Sequence, residues 1–187
     1  FLEAVAAANT IVFDKTGTLT YATPTVAQVV PFGGREESEM LRLAACLEEH
    51  YPHSIANAVV EEAKRRGLSH EEYHSQVQYV VAHGISSMVE GKKAIIGSAH
   101  FVFEDEGCRI PEGEEEKFST LPAEYSHLYL CIAGELAAVI CIHDPLRREA
   151  KAAVRALHDC GIDKVVMMTG DSRRTAEAVA AEVGVDE

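Results

Sequence analysis

The chain has 187 residues, 47% of them hydrophobic, which allows one large domain or two small ones with ordinary cores. Its 30 acidic against 17 basic residues give a formal charge of -13, which argues against nucleic acid and anionic membrane surfaces as partners. No apolar run reaches the roughly 18 residues of a membrane span, and no signal-peptide pattern stands at Phe1. The five cysteines (Cys46, Cys108, Cys131, Cys141 and Cys160) form no CxxC pair and read as free cytosolic thiols. The nine histidines, with the pairs His50/His53 and His70/His74, converge on no four-ligand pattern, so no structural metal site is expected.

In chain order, Thr10 to Phe13 is β-branched and aromatic and reads as a short buried strand that stops at Asp14. Ligands of open α/β sheets sit beyond the carboxyl ends of the strands, so Asp14 and the Gly/Thr loop after it stand where a substrate would be met. Thr20 to Pro24 is a linker, and Thr25 to Val30 alternates as a strand closed by Pro31 and Gly33-Gly34. Glu36, Glu37 and Glu39 then open a helix carrying Met40, Leu41, Ala44, Ala45 and Leu47, their charges suited to the helix dipole. A second helix starts near His53-Ser54 after Pro52, with Ser54 as a candidate N-cap, and ends in Lys64-Arg65-Arg66-Gly67.

From Gln76 the period becomes two. Val77 to Val81, Ile85 to Val89 and Lys92 to Ile96 read as an antiparallel meander with turns at His83-Gly84 and Glu90-Gly91. A short helix is expected at Ser98 to Phe103. The acidic stretch 104–116 reads as a solvated loop or helix start. Leu128 to Ala133 and Leu136 to Ile142 form a hairpin about Gly134-Glu135. The pattern then reverts to α/β: Asp144-Pro145-Leu146-Arg147 leads into a helix through Leu157, and Lys164 to Met168 is a second buried strand. That strand ends in Thr169-Gly170-Asp171, before a last helix with Ala176, Val179, Ala180 and Val183. If the two buried strands are neighbours in one parallel sheet, Asp14 and Asp171 face one cleft.

The run Asp14-Lys15-Thr16-Gly17-Thr18-Leu19-Thr20 resembles the phosphorylation motif of P-type cation-transporting ATPases. The resemblance implies an α/β plus α+β architecture. A haloacid-dehalogenase-like parallel-sheet phosphorylation domain (1–23 and 143–187) is interrupted by an antiparallel-sheet nucleotide-binding domain flanked by helices (24–142). It assigns Asp14 as the nucleophile toward the γ-phosphorus of ATP, with Lys15, Thr169 and Asp171 as catalytic partners. Thr16 and Gly170 line the phosphate site, and Mg²⁺ is held by Asp14 and the Thr16 backbone. Phosphatases of the same superfamily carry a second Asp where Thr16 stands; losing that acid/base typically slows proton-assisted steps by about a hundred- to ten-thousand-fold. A soluble phosphatase with an inserted cap domain and a non-catalytic nucleotide-binding module are the alternative readings.

The small insertion resembles the heavy-metal branch. Glu48 and His53 line up with its adenine-site glutamate and histidine, and Gly84, Ile85 and Gly97 with its glycine motifs. Ser54, Ala82 and Ser98 depart from the branch's proline, glycine and asparagine. At a helix N-terminus the dipole disfavours imidazolium, leaving His53 a neutral ring able to stack on a purine. The implied cofactors are ATP and Mg²⁺. The implied partners are the actuator domain and transmembrane helices of the same protein, at the cytoplasmic face of a membrane, with the transported metal bound elsewhere. The chain alone is expected to be monomeric. It is also expected not to turn over ATP, because the family's further Mg²⁺ ligands, in a Gly-Asp-Gly-x-Asn-Asp segment, do not occur before Glu187.

Overall fold

Strand β1 (Thr10–Asp14) is followed by β2 (Thr25–Pro31), helices α1 (Glu37–Glu48) and α2 (Ser54–Arg65), and strands β3 (His74–Val80), β4 (Gly84–Val89) and β5 (Lys92–Gly97). Helix α3 (Glu115–Ser119), β6 (Ser126–Ile132), β7 (Glu135–His143), α4 (Ala150–Asp159), β8 (Lys164–Met168) and α5 (Arg173–Val183) complete the order. The computed structural model describes residues 7–68, 74–80 and 84–187, the strand at 74–80 by its backbone alone. It divides into two compact units: Phe1–Thr23 with Asp144–Glu187, and Pro24–His143.

The second unit is built on a six-stranded antiparallel sheet in the order β2-β7-β6-β5-β4-β3. Alternation in its strands sends side chains to two cores. On one face Leu41, Leu47 and Val59 of the helices meet Ile85, Ile96, Leu130 and Ile140. On the other, Phe32, Phe101, Tyr129 and Val139 pack together, and Phe103 stands edge-on to Phe118 and Tyr129 at 5.6 and 5.2 Å. The β6–β7 turn is Ala133-Gly134, both at positive φ (53° and 82°), one residue earlier than the hairpin tip expected from sequence. Gly84 is the first residue of β4 and pairs with Gly97, so it is not a turn residue; the expected partners in that turn, Ala82 and His83, lie outside the described residues. The expected helix at Ser98–Phe103 is a wide helical turn at His100–Asp105.

Helix α1 is capped by the Glu36 carboxylate, which accepts from Ser38 N at 3.1 Å and Glu39 N at 3.4 Å. The cap of α2 corrects the expectation from sequence. His53, not Ser54, is the N-cap: its extended backbone (φ -144°, ψ 175°) lets ring Nδ1 accept from Ala56 N at 3.2 Å, and Ser54 becomes the first helical residue.

In the first unit β1 and β8 pair in parallel, with Thr10 opposite Lys164 and Asp14 opposite Met168. Leu19, Ala150, Val154, Val165, Val179 and Val183 form its core. Residues 185–187 run beside β8, where Asp186 N donates to Val165 O at 2.8 Å and Met167 N to Glu187 O at 2.6 Å. Ser172 caps α5 and Gly184 ends it at φ 89°, the left-handed position a glycine fills without Cβ strain. No helix among the described residues is long and apolar enough to cross a membrane.

Candidate functional site

Parallel pairing places the carboxyl ends of β1 and β8 side by side, and with them the loops that begin at Asp14 and Thr169. Asp14 is exposed, and no hydrogen bond or ion pair engages its carboxylate among the described residues. Lys15 is buried and ion-paired with Asp171. Asp171 Oδ2 also accepts from Thr169 Oγ1 at 2.9 Å, and Asp171 N donates back to Thr169 Oγ1 at 3.1 Å, closing a tight turn around Gly170. Asp14, Lys15, Thr16, Thr169, Gly170 and Asp171 therefore share one end of one strand pair.

The loop is shaped by Gly17 and Thr20 of the Asp14–Thr20 motif together with Asp144 and Arg147, to which sequence reasoning gave no role at the site. Gly17 turns at φ 80°. Its N–H donates to Thr20 Oγ1 at 3.1 Å, and its carbonyl accepts from Arg147 at 3.3 Å. Thr20 is buried and donates to Asp144 Oδ2 at 2.6 Å; Asp144 Oδ1 accepts from Thr23 N at 3.2 Å. The signal available in sequence was the Asp144–Arg147 segment, whose polar ends bracket a proline.

In the second unit, Glu48 ends α1 and His53 begins α2. Glu48 is buried, its side chain 3% exposed, and His53 Nε2 lies 3.3 Å from Oε2. That contact is not aligned as a hydrogen bond, and Oε2 has no other partner among the described residues. Burial without a compensating cation pushes the Glu48 carboxyl up to about 7. Burial also lowers His53. Because Nδ1 already accepts the Ala56 N–H, a neutral His53 carries its proton on Nε2, facing Glu48. The pair is a half-exposed flat ring beside an unsatisfied buried carboxyl.

The other residues singled out in this unit are more structural than expected. Ile85 points into the helix-side core at 2% exposure, and its backbone lies between Tyr79 of β3 and Ile96 of β5. A Cβ on Gly84 would collide with Ile96 O and come within 2.6 Å of the Phe101 ring, so close packing demands glycine there. Ser98 Oγ accepts from Phe101 N at 3.3 Å and starts the following turn. Gly97 is buried opposite Gly84.

No group of three or more His, Cys, Asp or Glu side chains among the described residues is arranged to hold a metal. His100 meets Glu104 and Asp105 through opposite ring nitrogens, at 3.0 and 3.6 Å, which does not converge on one point. At the end of β1 the free Asp14 carboxylate offers oxygen donors of the kind that suit a hard divalent cation.

A family model of the haloacid dehalogenase-like hydrolases matches residues 8–187. The chain is 37% identical over 186 residues to Copper-transporting ATPase 1 of Rhizobium meliloti, an alignment covering 100% of this chain and 22% of that protein. It is 35% identical over 186 residues to a Zinc-transporting ATPase of Synechocystis sp., covering 100% of this chain and 24% of the relative. It thus spans less than a quarter of the length of these relatives. Among solved structures it resembles the catalytic domain of the CPx-ATPase CopB-B, studied for its conformational changes upon nucleotide binding. The TM-score is 0.71 at 26% identity, over 100% of this chain and 62% of that one. It also resembles a zinc-transporting PIB-type ATPase in the E2.Pi state, with TM-score 0.61 at 31% identity, over 98% of this chain and 29% of that one.

Proposed function

The chain belongs to the haloacid dehalogenase-like hydrolase family, and from that premise we propose that it is the ATP-using catalytic part of a heavy-metal cation pump, with Asp14 as phosphate acceptor. The observation that carries this reading is the free, exposed Asp14 carboxylate at the end of β1, next to the buried Lys15–Asp171 pair. An Asp14 oxygen forms a bond to the γ-phosphorus of ATP as the bond to the β,γ-bridging oxygen breaks; ADP leaves and an aspartyl-phosphate remains. Asp171 holds the Lys15 ammonium at this end of the sheet, where it offsets charge on the transferring group. Thr20 and Arg147 fix both sides of the Gly17 peptide, so the loop is shaped before phosphate arrives. Thr16 supplies a hydroxyl where a phosphatase needs a second acid, which favours a lasting phosphoenzyme.

Mg²⁺ fits the oxygen donors of Asp14 and Thr16, and when bound it supplies neutralisation of the phosphate charge. Residues 1–23 with 143–187 act as the phosphorylation domain and residues 24–142 as the nucleotide-binding domain. His53 and Glu48 receive the adenine, and the end of the β4–β5 pair at Gly84, Ile85, Gly97 and Ser98 flanks it. In the whole protein the chain works on the cytoplasmic face of a membrane, with actuator and transmembrane parts elsewhere in the sequence. The copper and zinc relatives support a heavy-metal cargo. In the full-length pump, ATP should leave an acid-stable, hydroxylamine-sensitive label that Asp14→Asn abolishes while nucleotide binding persists. Label that survives in Asp14→Asn would remove Asp14 from this role.

A further inference from the structure

Helix α1 and the turn between β4 and β5 line a cavity of about 200 Å³ in the second unit. Glu39, Arg42, Leu43 and Cys46 contribute one face of α1, at spacings i, i+3, i+4 and i+7. Val89, Glu90 and Lys92 about the turn, with Ile132 at the end of β6, line it from the sheet. Leu43, Val89 and Ile132 pack against the helix-side core yet stay partly exposed, so the fold leaves this apolar floor half covered. The rim carries both signs. Glu39, Glu90 and Lys92 are exposed, and Arg35 donates to Phe32 O at 3.1 Å, which anchors its guanidinium. Glu90 also holds a left-handed backbone (φ 50°), a turn position that Asn or Gly fills with less strain, so the acid stands there at a conformational cost. At about 3.4 Å per residue the turn lies about 17 Å along β4 from Gly84. On α1, Glu48 falls about 200° round from Cys46. The cavity is therefore separate from the end of the unit assigned to the base.

Small-molecule sites combine apolar walls with a few polar groups that fix orientation. An occupant of this one presents an apolar body to the floor and one group of each charge to the rim. The volume falls below the roughly 300–1,000 Å³ of drug-sized pockets, which keeps that occupant small. Two acids on the rim stand against a phosphate dianion. We propose that the cavity is a second small-molecule site, which takes a free α-amino acid with an aliphatic side chain, such as leucine. The branched side chain covers Leu43, Val89 and Ile132. The carboxylate accepts charge-assisted hydrogen bonds from Lys92 and Arg35, and the ammonium donates to Glu39 and Glu90. A carboxylate or an amine alone leaves one sign of the rim unused. This site does not depend on the reading of the other end as base-binding.

Methyl-resolved NMR titrations of the chain with leucine, 4-methylpentanoate and 3-methylbutylamine test the assignment. The three share a branched apolar end and carry both charges, the negative alone and the positive alone. Leucine should shift the methyl signals of Leu43, Val89 and Ile132 while the amides of His53 and Gly97 stay in place. It should bind at least about tenfold tighter than either analogue, the worth of one hydrogen bond to a charged group. Glu39→Gln combined with Glu90→Gln should remove the advantage of leucine over 4-methylpentanoate without weakening the carboxylate. Lys92→Gln should weaken leucine several-fold; if the double variant does not fold, this variant and the wild-type ratios decide. Absence of methyl shifts with leucine up to about 10 mM, shifts centred elsewhere, or an analogue that binds as tightly overturns the assignment. So does an advantage of leucine that survives in the double variant.

Discussion

At one end of the α1–α2 hairpin Glu62 lies 2.7 Å from both Arg65 and Arg66, and Arg66 reaches on to Glu37; at the other end Glu48 Oε2 is buried with no hydrogen-bond partner among the described residues. Hydrogen bonds from Arg65 hold the Glu62 carboxyl down at about 2, while burial pushes Glu48 up to about 7. The same functional group on the same two helices is thus tied into the scaffold at one end and left open at the other. An engaged carboxylate supports the fold. A buried one that the fold does not satisfy costs stability, and it is retained where a ligand can satisfy it.

The two ends should respond to pH with opposite signs. The folded-state pKa of Glu48 lies above its unfolded value, so its contribution is fully present below about pH 4.5 and is lost as pH rises through about 7. Removing the titration with Glu48→Gln should therefore raise stability relative to wild type by at most about 3 kcal/mol between about pH 4 and about pH 8. Urea unfolding at both pH values measures this, and a constant difference between the two proteins would show that Glu48 is solvated in the folded state.

Gly84→Ala separates packing from binding at the end of the β4–β5 pair. The added methyl meets Ile96 O and the Phe101 ring, and overpacking of this kind costs about 1–3 kcal/mol. Thermal unfolding should register the loss before any nucleotide is added. An unchanged melting temperature would free Gly84 from its packing role. Glu62→Gln is the smallest effect. The depressed pKa of Glu62 means its contribution is present above about pH 4.5 and is lost as pH falls through about 2. After solvent screening the variant should lose no more than about 1 kcal/mol at neutral pH and nothing at the acid limit. A loss that grows toward acid would reverse the sign assigned to this end.

The strands were readable because their patterns are local. Lys164–Met168 is a short apolar run bounded by turn residues and pairs in parallel with β1. The full burial expected of both strands is not found: their burial alternates, and Val12 and Met168 are 52% and 62% exposed. The cap of α2 was not, because serine's propensity to cap gave way to a histidine whose ring nitrogen reached the Ala56 N–H first. Gly84 read as a turn glycine, whereas its need for glycine comes from Phe101, seventeen positions away in sequence. Thr20 read as the end of the motif and the start of a linker, and its partner Asp144 lies 124 positions on, after the inserted unit. The burial of Glu48 depends on the elements packed around α1, and no local pattern encodes that.

The division of work between the two units is tested most directly by residue-resolved chemical shifts as AMP, ADP and ATP are titrated into the chain. Base recognition by the hairpin predicts shifts centred on Glu48, His53, Gly84 and Gly97. The three affinities should agree within about threefold, because a chain of net charge -13 offers polyphosphate no general attraction. A strong preference for the triphosphate, with shifts centred on Asp14 and none at His53, would contradict it.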